Sequence, residues 1–157
     1  MHERETATTR ARGVVADPGL RDFLAGFREG TRRFMNGDPG PWFGNASRRD
    51  DVMVMGAWGG YEKGWQAVEA RYHWAGARFR DSGAALEVEY LTAFESGDLA
   101  VTTAIERAEV RLEGRPATAP MALRVTHVFR REDGGWKLVF RHADPLVVRT
   151  APDAVLR

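Results

Sequence analysis

The chain has 157 residues, with 23 Lys plus Arg against 22 Asp plus Glu, a net charge of +1, and no cysteine. Such a length suits one domain that buries roughly two-thirds of the surface its unfolded chain exposes, and the balanced charge offers no global field for nucleic acid or an acidic membrane. Lack of cysteine removes disulfides, thiolate nucleophiles and Cys-ligated metals; no apolar run reaches the ~18 residues of a membrane span and the N-terminus lacks a secretory core, so the expected location is the cytoplasm.

Residues 1 to 16 are polar, charged and without apolar period, which reads as a flexible arm before a single domain over 17 to 150 and a short tail to 157. Asp17 and Pro18 form an N-cap and first-turn pair, and Leu20, Phe23, Leu24, Phe27, Phe34 and Met35 then recur at helical spacing. That helix stops near Asn36-Gly37-Asp38-Pro39, and Trp42 and Phe43 suggest a short helical turn. Val52 to Trp58 reads as a strand, Gly59-Gly60 as a turn, and Trp65, Val68, Tyr72, Ala75 and Phe79 mark a second helix from about Gly64 to Arg80.

From there the chain reads as strand. Leu86, Val88, Tyr90, Thr92 and Phe94 alternate with Glu87, Glu89, Leu91, Ala93 and Glu95, and Ser96-Gly97-Asp98 turns into a long run from Leu99 to Leu112. Glu113-Gly114-Arg115-Pro116 makes a looser connection to the last hairpin, residues 124 to 145. Its turn is Asp133-Gly134-Gly135, and pairing Arg131 with Trp136 puts Phe129, His127 and Val125 on one face. Strict alternation sends Trp136, Leu138, Phe140, His142 and Asp144 to that same face and Lys137, Val139 and Arg141 to the other. His127 and His142 would then be diagonal neighbours. Helices followed by long strands give an α+β plan, a curved antiparallel sheet wrapped around N-terminal helices.

The Asn36-Gly37-Asp38 helix exit, the strand-turn-helix from Asp51 through Gly64, and the final hairpin with DGGW and RHADP together resemble a SnoaL-like protein of the nuclear transport factor 2-like superfamily, which includes ketosteroid isomerase. The hairpin also resembles the association domain of calcium/calmodulin-dependent kinase. The resemblance implies a cone with a deep pocket between the sheet and the helices, and a homodimer formed through the sheet.

In such a pocket His142, His127, Asp144 and Glu106 are the candidate acid/base residues, because a neutral imidazole oriented by a carboxylate can remove a proton beside a carbonyl or activate water. Tyr90, Trp58, Phe140 and Arg124 are the candidate ligand-binding residues. Most have a plainer reading: His142 as a hydrogen-bonded strand residue, His127 turned to the opposite face by a one-residue slip in register, Asp144 as a strand-end turn before Pro145, Glu106 beside Arg107 as a solvated or interface charge, Arg124 as a cross-strand partner, and Tyr90 and Trp58 as core. The ketosteroid isomerase arrangement of one Tyr and two Asp has no clear counterpart. The four histidines are dispersed, no phosphate loop or GxSxG occurs, and neither metal nor cofactor is expected. Two classes of function therefore stand: an isomerase, cyclase or hydratase acting on an apolar carbonyl-type ligand, and a non-catalytic ligand-binding or homo-oligomeric assembly domain, with no nucleic-acid or membrane partner.

Overall fold

The computed structural model describes residues 14–157. Of the expected arm, residues 1–13 lie outside the described residues; Val15 is buried, and the N–H groups of Ala16 and Asp17 each donate to the Glu95 carboxylate at 2.9 Å. The first helix, α1 (Pro18–Phe34), starts where the sequence places it: Asp17 accepts from the Leu20 N–H at 2.8 Å and Pro18 needs no partner for a missing N–H. Its buried stripe is Leu20, Leu24, Phe27 and Thr31, and the Thr31 hydroxyl donates back to the Phe27 carbonyl. Asn36 then clamps the helix end to the later chain. Its amide donates to the carbonyls of Arg32 and Ala84, and its oxygen accepts from Ala84 N–H at 2.9 Å. Gly37 follows at φ 90, and a Cβ there would stand 3.0 Å from the Phe79 carbonyl oxygen, so the turn requires glycine.

A short helix α2 (Gly40–Asn45) leads to β1 (Met53–Met55), narrower than the expected run from Val52 to Trp58, and to β2 (Glu62–Lys63). The helix α3 (Trp65–Gly76) ends short of the expected Arg80. Gly76 packs on Pro39, where a Cβ would meet ring carbons at 2.9 Å, and Phe79–Arg80 leaves the helix to form β3. The long strands are β4 (Leu86–Ser96), β5 (Leu99–Leu112), β6 (Ala119–Glu132) and β7 (Gly135–Asp144); an exposed 3-10 turn, Pro152–Val155, lies in the tail.

The strands form one seven-stranded sheet in the order β2-β1-β7-β6-β5, with β3 and β4 both paired to the far side of β5. All pairings are antiparallel except that β1 lies parallel to β7, so the sheet is mixed rather than wholly antiparallel. It curls strongly into a half-barrel around the helices. The inner face of β5 carries Ala100, Ala104 and Ala108, small side chains that leave the concave side open to aromatic residues from α1 and α2. Among the described residues no helix is long and apolar enough to cross a membrane.

Two bulges decide which residues look inward. In β4 the register shifts between Tyr90 and Thr92, so Leu86, Val88 and Tyr90 share a face with inward β5 residues while Thr92 and Phe94 pair with Thr103 and Val101 on the outside. In β7, Leu138 pairs with Phe129 but Phe140 pairs with Val128, leaving Val139 as the extra residue. The Arg131–Trp136 register at the turn is as expected, and so is the inward His127. Beyond Val139 every face is reversed from strict alternation. Arg141 and Ala143 point in; Phe140, His142 and Asp144 point out.

Candidate functional site

A cavity of about 640 Å³ opens between the concave sheet and the three helices. Its floor is made of buried residues, Trp42, Val54, Tyr72, Leu123 and Arg141, and its mouth of exposed ones, Trp58, Arg115 and the Pro116–Thr118 segment. Most of the wall is apolar, as a small-molecule site requires.

Arg141 dominates the floor. Its guanidinium donates to both oxygens of Glu106, Nη1 to Oε2 at 3.1 Å and Nη2 to Oε1 at 2.9 Å, and Nη1 also meets His127 Nε2 at 2.9 Å. Because a guanidinium can only donate, Nε2 must accept, and the His127 proton sits on Nδ1. Burial, with the Arg141 charge beside it, pushes the His127 imidazole well below its usual range. Burial also opposes the Arg141 charge, but Glu106 outweighs it and the guanidinium is held above its ordinary value. The three groups therefore form a closed unit of zero net charge. Phe27 seals it, standing edge-on to the His127 ring at 5.0 Å, and Trp42 stacks against Arg141 at 5.5 Å.

The pair leaves spare donors. An arginine has five N–H bonds, and the contacts to Glu106 and His127 use three of them. Beside Arg141 lies Tyr72, whose phenol burial pushes up to about 12, so it is a protonated donor at neutral pH. Trp42 Nε1 abuts that hydroxyl closely enough to favour the phenolate slightly, yet it is buried with no hydrogen bond of acceptable geometry. A buried, unpaired donor costs stability unless something supplies an acceptor. The floor thus gathers buried N–H and O–H donors beneath an apolar space. Such donors suit an oxygen acceptor; among the described lining residues no carboxylate or imidazole is available to take a proton.

The expected acid/base residues do not assemble. His127 and Glu106 are inward and buried, but they sit behind Arg141 and bond to it rather than line the cavity. His142 lies exposed on the convex face against Thr126 and Met55, so it is not a diagonal neighbour of His127. Asp144 is also outside, in a two-pronged bond with Arg124 at 2.8 Å for each contact, and this holds its carboxyl below the usual range. Arg124 is therefore the cross-strand partner of Asp144. Of the expected ligand-binding residues, Trp58 lines the mouth, Phe140 is on the convex face, and Tyr90 is inward, packed against both apolar clusters, its phenol pushed up by burial and by Glu106. Arg141, Tyr72 and Trp42 were not among the candidates. A sequence signal for the first existed: Leu138-Val139-Phe140 is three apolar residues in a row, which strict alternation does not produce. Among the described residues no group of three or more His, Asp or Glu could hold a metal ion.

Residues 32–147 match the SnoaL-like domain family. Among solved structures the chain is similar to a nuclear transport factor 2-like superfamily protein from Salmonella enterica serovar Typhimurium, at 14% identity and TM-score 0.69, covering 96% of this chain and 98% of that one. It is similar to a nuclear transport factor 2-like protein from Streptomyces avermitilis described as a candidate dehydratase, at 21% identity and TM-score 0.68, covering 83% and 95%. A third likeness is to a candidate calcium/calmodulin-dependent protein kinase type II association domain from Thiobacillus denitrificans, at 23% identity and TM-score 0.61, covering 85% and 98%. No curated protein sequence matches the chain.

Proposed function

The chain belongs to the SnoaL-like domain family, and from that premise we propose that its cone binds an apolar small molecule through a single oxygen acceptor, a carbonyl or a phenol, held on the floor by Arg141, Tyr72 and Trp42. The observation that carries this reading is the Arg141 guanidinium, which lines an apolar cavity with N–H bonds left over from Glu106 and His127 and has Tyr72 and the unpaired Nε1–H of Trp42 buried beside it. Since Glu106 already neutralises Arg141, a neutral oxygen suits the floor better than a charged one, whose burial would leave an uncompensated negative charge. The same donors could stabilise an enolate, as in an isomerase or hydratase, but that chemistry needs a base, and the candidate bases lie elsewhere. Binding without turnover is accordingly the reading favoured here.

Titration calorimetry with a naphthyl methyl ketone and with the matching ethyl naphthalene tests it. The ketone should bind more tightly, and Tyr72→Phe and Trp42→Phe should each weaken the ketone by about five- to tenfold while leaving the hydrocarbon unchanged. Equal affinity for the two compounds in the unaltered protein would sink the proposal.

We propose in addition that the chain is a homodimer through the convex face. Support comes from a row of residues aligned across five strands, Phe94, Val101, Val128, Phe140 and Met53, all on the outside of the sheet. Such a band of apolar surface is usually covered.

A further inference from the structure

The cavity mouth carries a charge asymmetry that the floor does not. Among the described residues its lining holds three arginines, Arg71, Arg115 and Arg141, and no Asp, Glu, Lys or His. Glu106 cancels Arg141 inside the wall. Arg71 lies flat on Trp74 at 4.1 Å and shares Glu62 at a loose 3.8 Å. Arg115 makes no ion pair with a described residue and sits exposed in the connection between β5 and β6. Close by, Arg78 and Arg80 share one carboxylate, Glu113. Arg71, Arg78, Arg80 and Arg115 thus have two glutamate partners among them, Glu62 and Glu113.

Resting on the carbonyl-binding reading of the floor, we propose that the ligand is amphipathic: its neutral oxygen lies against Arg141 and Tyr72, its apolar body fills the cavity, and an anionic group at its far end meets Arg71 and Arg115 at the mouth. The division follows from burial. A carboxylate on the floor meets a cation that is already paired, whereas at the mouth it gains an unpaired guanidinium while keeping part of its hydration. Apolar walls beside the arginines concentrate their field on the opening, so the mouth also steers anions inward. Arg115 is the specificity residue; Arg71 is held in place by Trp74 and Glu62.

The test uses the full chain and three probes: the naphthyl methyl ketone, the same ketone with a carboxylate at the opposite end of the ring system, and the corresponding methyl ester. At low salt the carboxylate should bind about three- to tenfold more tightly than the ketone or the ester. That advantage should shrink as salt rises and vanish in Arg115→Gln, whose side chain has no ion-pair partner to lose, while ketone affinity is unchanged. If the ketone binds but the carboxylate adds nothing, or its advantage survives in an Arg71→Gln, Arg115→Gln double variant, this inference is overturned and the floor reading stands. Failure of the ketone itself to bind would overturn both.

Discussion

The two faces of the β6–β7 hairpin carry the same chemistry in different surroundings. Arg141 grips Glu106 with both prongs on the inside, and Arg124 grips Asp144 in the same way on the outside. The inner pair has side chains 11% and 3% exposed; the outer pair, 54% and 26%. Contact geometry does not separate them, and water does. The inner pair has exchanged its hydration for each other and for His127, so its members depend on one another, while the outer pair competes with solvent and salt for a bond that either partner could do without. A histidine accompanies each pair, and it too is divided by burial: His127 is locked neutral, His142 is in water.

The sharpest way to break this comparison is to remove one inner partner. Arg141→Met should destabilise the fold by about 3–5 kcal/mol in urea denaturation, since Glu106 is left buried and unpaired, and adding Glu106→Leu should recover most of the loss. If Arg141→Met costs no more than an outer-pair substitution, burial is not what distinguishes the faces. Next in size is the convex band. Phe140→Asp should raise the dimer dissociation constant on the order of a hundredfold in sedimentation velocity without changing ketone affinity; a wild-type monomer at micromolar concentration would contradict the dimer.

The third effect is a pH dependence. His127 is held below its unfolded value near 6.5, so between those two values the unfolded chain binds a proton that the folded chain refuses. Stability then rises with pH and is lost as pH falls below about 6.5, by up to ~1.4 kcal/mol per pH unit until the folded value is reached. His127→Gln should flatten that segment, and an unchanged slope would mean the imidazole is not the group responsible. Asp144 follows the same sign in a more acidic window. Arg124 depresses its folded value, so the bond contributes above the unfolded carboxyl value and is lost as pH drops through the folded one. Asp144→Asn should have the smallest effect of the set, and added salt should erase it.

Much of the frame was legible because it is written in local chemistry. Asp17-Pro18 marks a helix start, Asp133 and Gly134 adopt the positive φ angles a tight hairpin needs, and the Arg131–Trp136 register follows from that turn. The inward His127 followed as well. What failed to follow was everything beyond Val139, because alternation is a relative code: one extra residue inverts all that comes after it, and no charge or size on Arg141 announces the inversion. In β4 the register shift around Leu91 does the same to Thr92 and Phe94. Trp42 and Tyr72 were invisible as site residues for another reason. An aromatic at helical spacing looks the same whether its polar atom is paired or not, and only tertiary packing tells the two apart.

The bulge at Val139 also bears on how the strand tolerates changes in length. A strand whose far end is buried cannot ordinarily lose a residue without turning its core outward. In β7, however, Val139 stands outside the ladder, and excising it leaves Leu138 opposite Phe129 and lets Phe140 remain opposite Val128. A chain shortened by that one residue should keep Arg141 on Glu106, at the expense of the kink and one buried valine. Two strand lengths would then share one wiring, and Val139 marks where a deletion could be inherited without loss of the cavity floor.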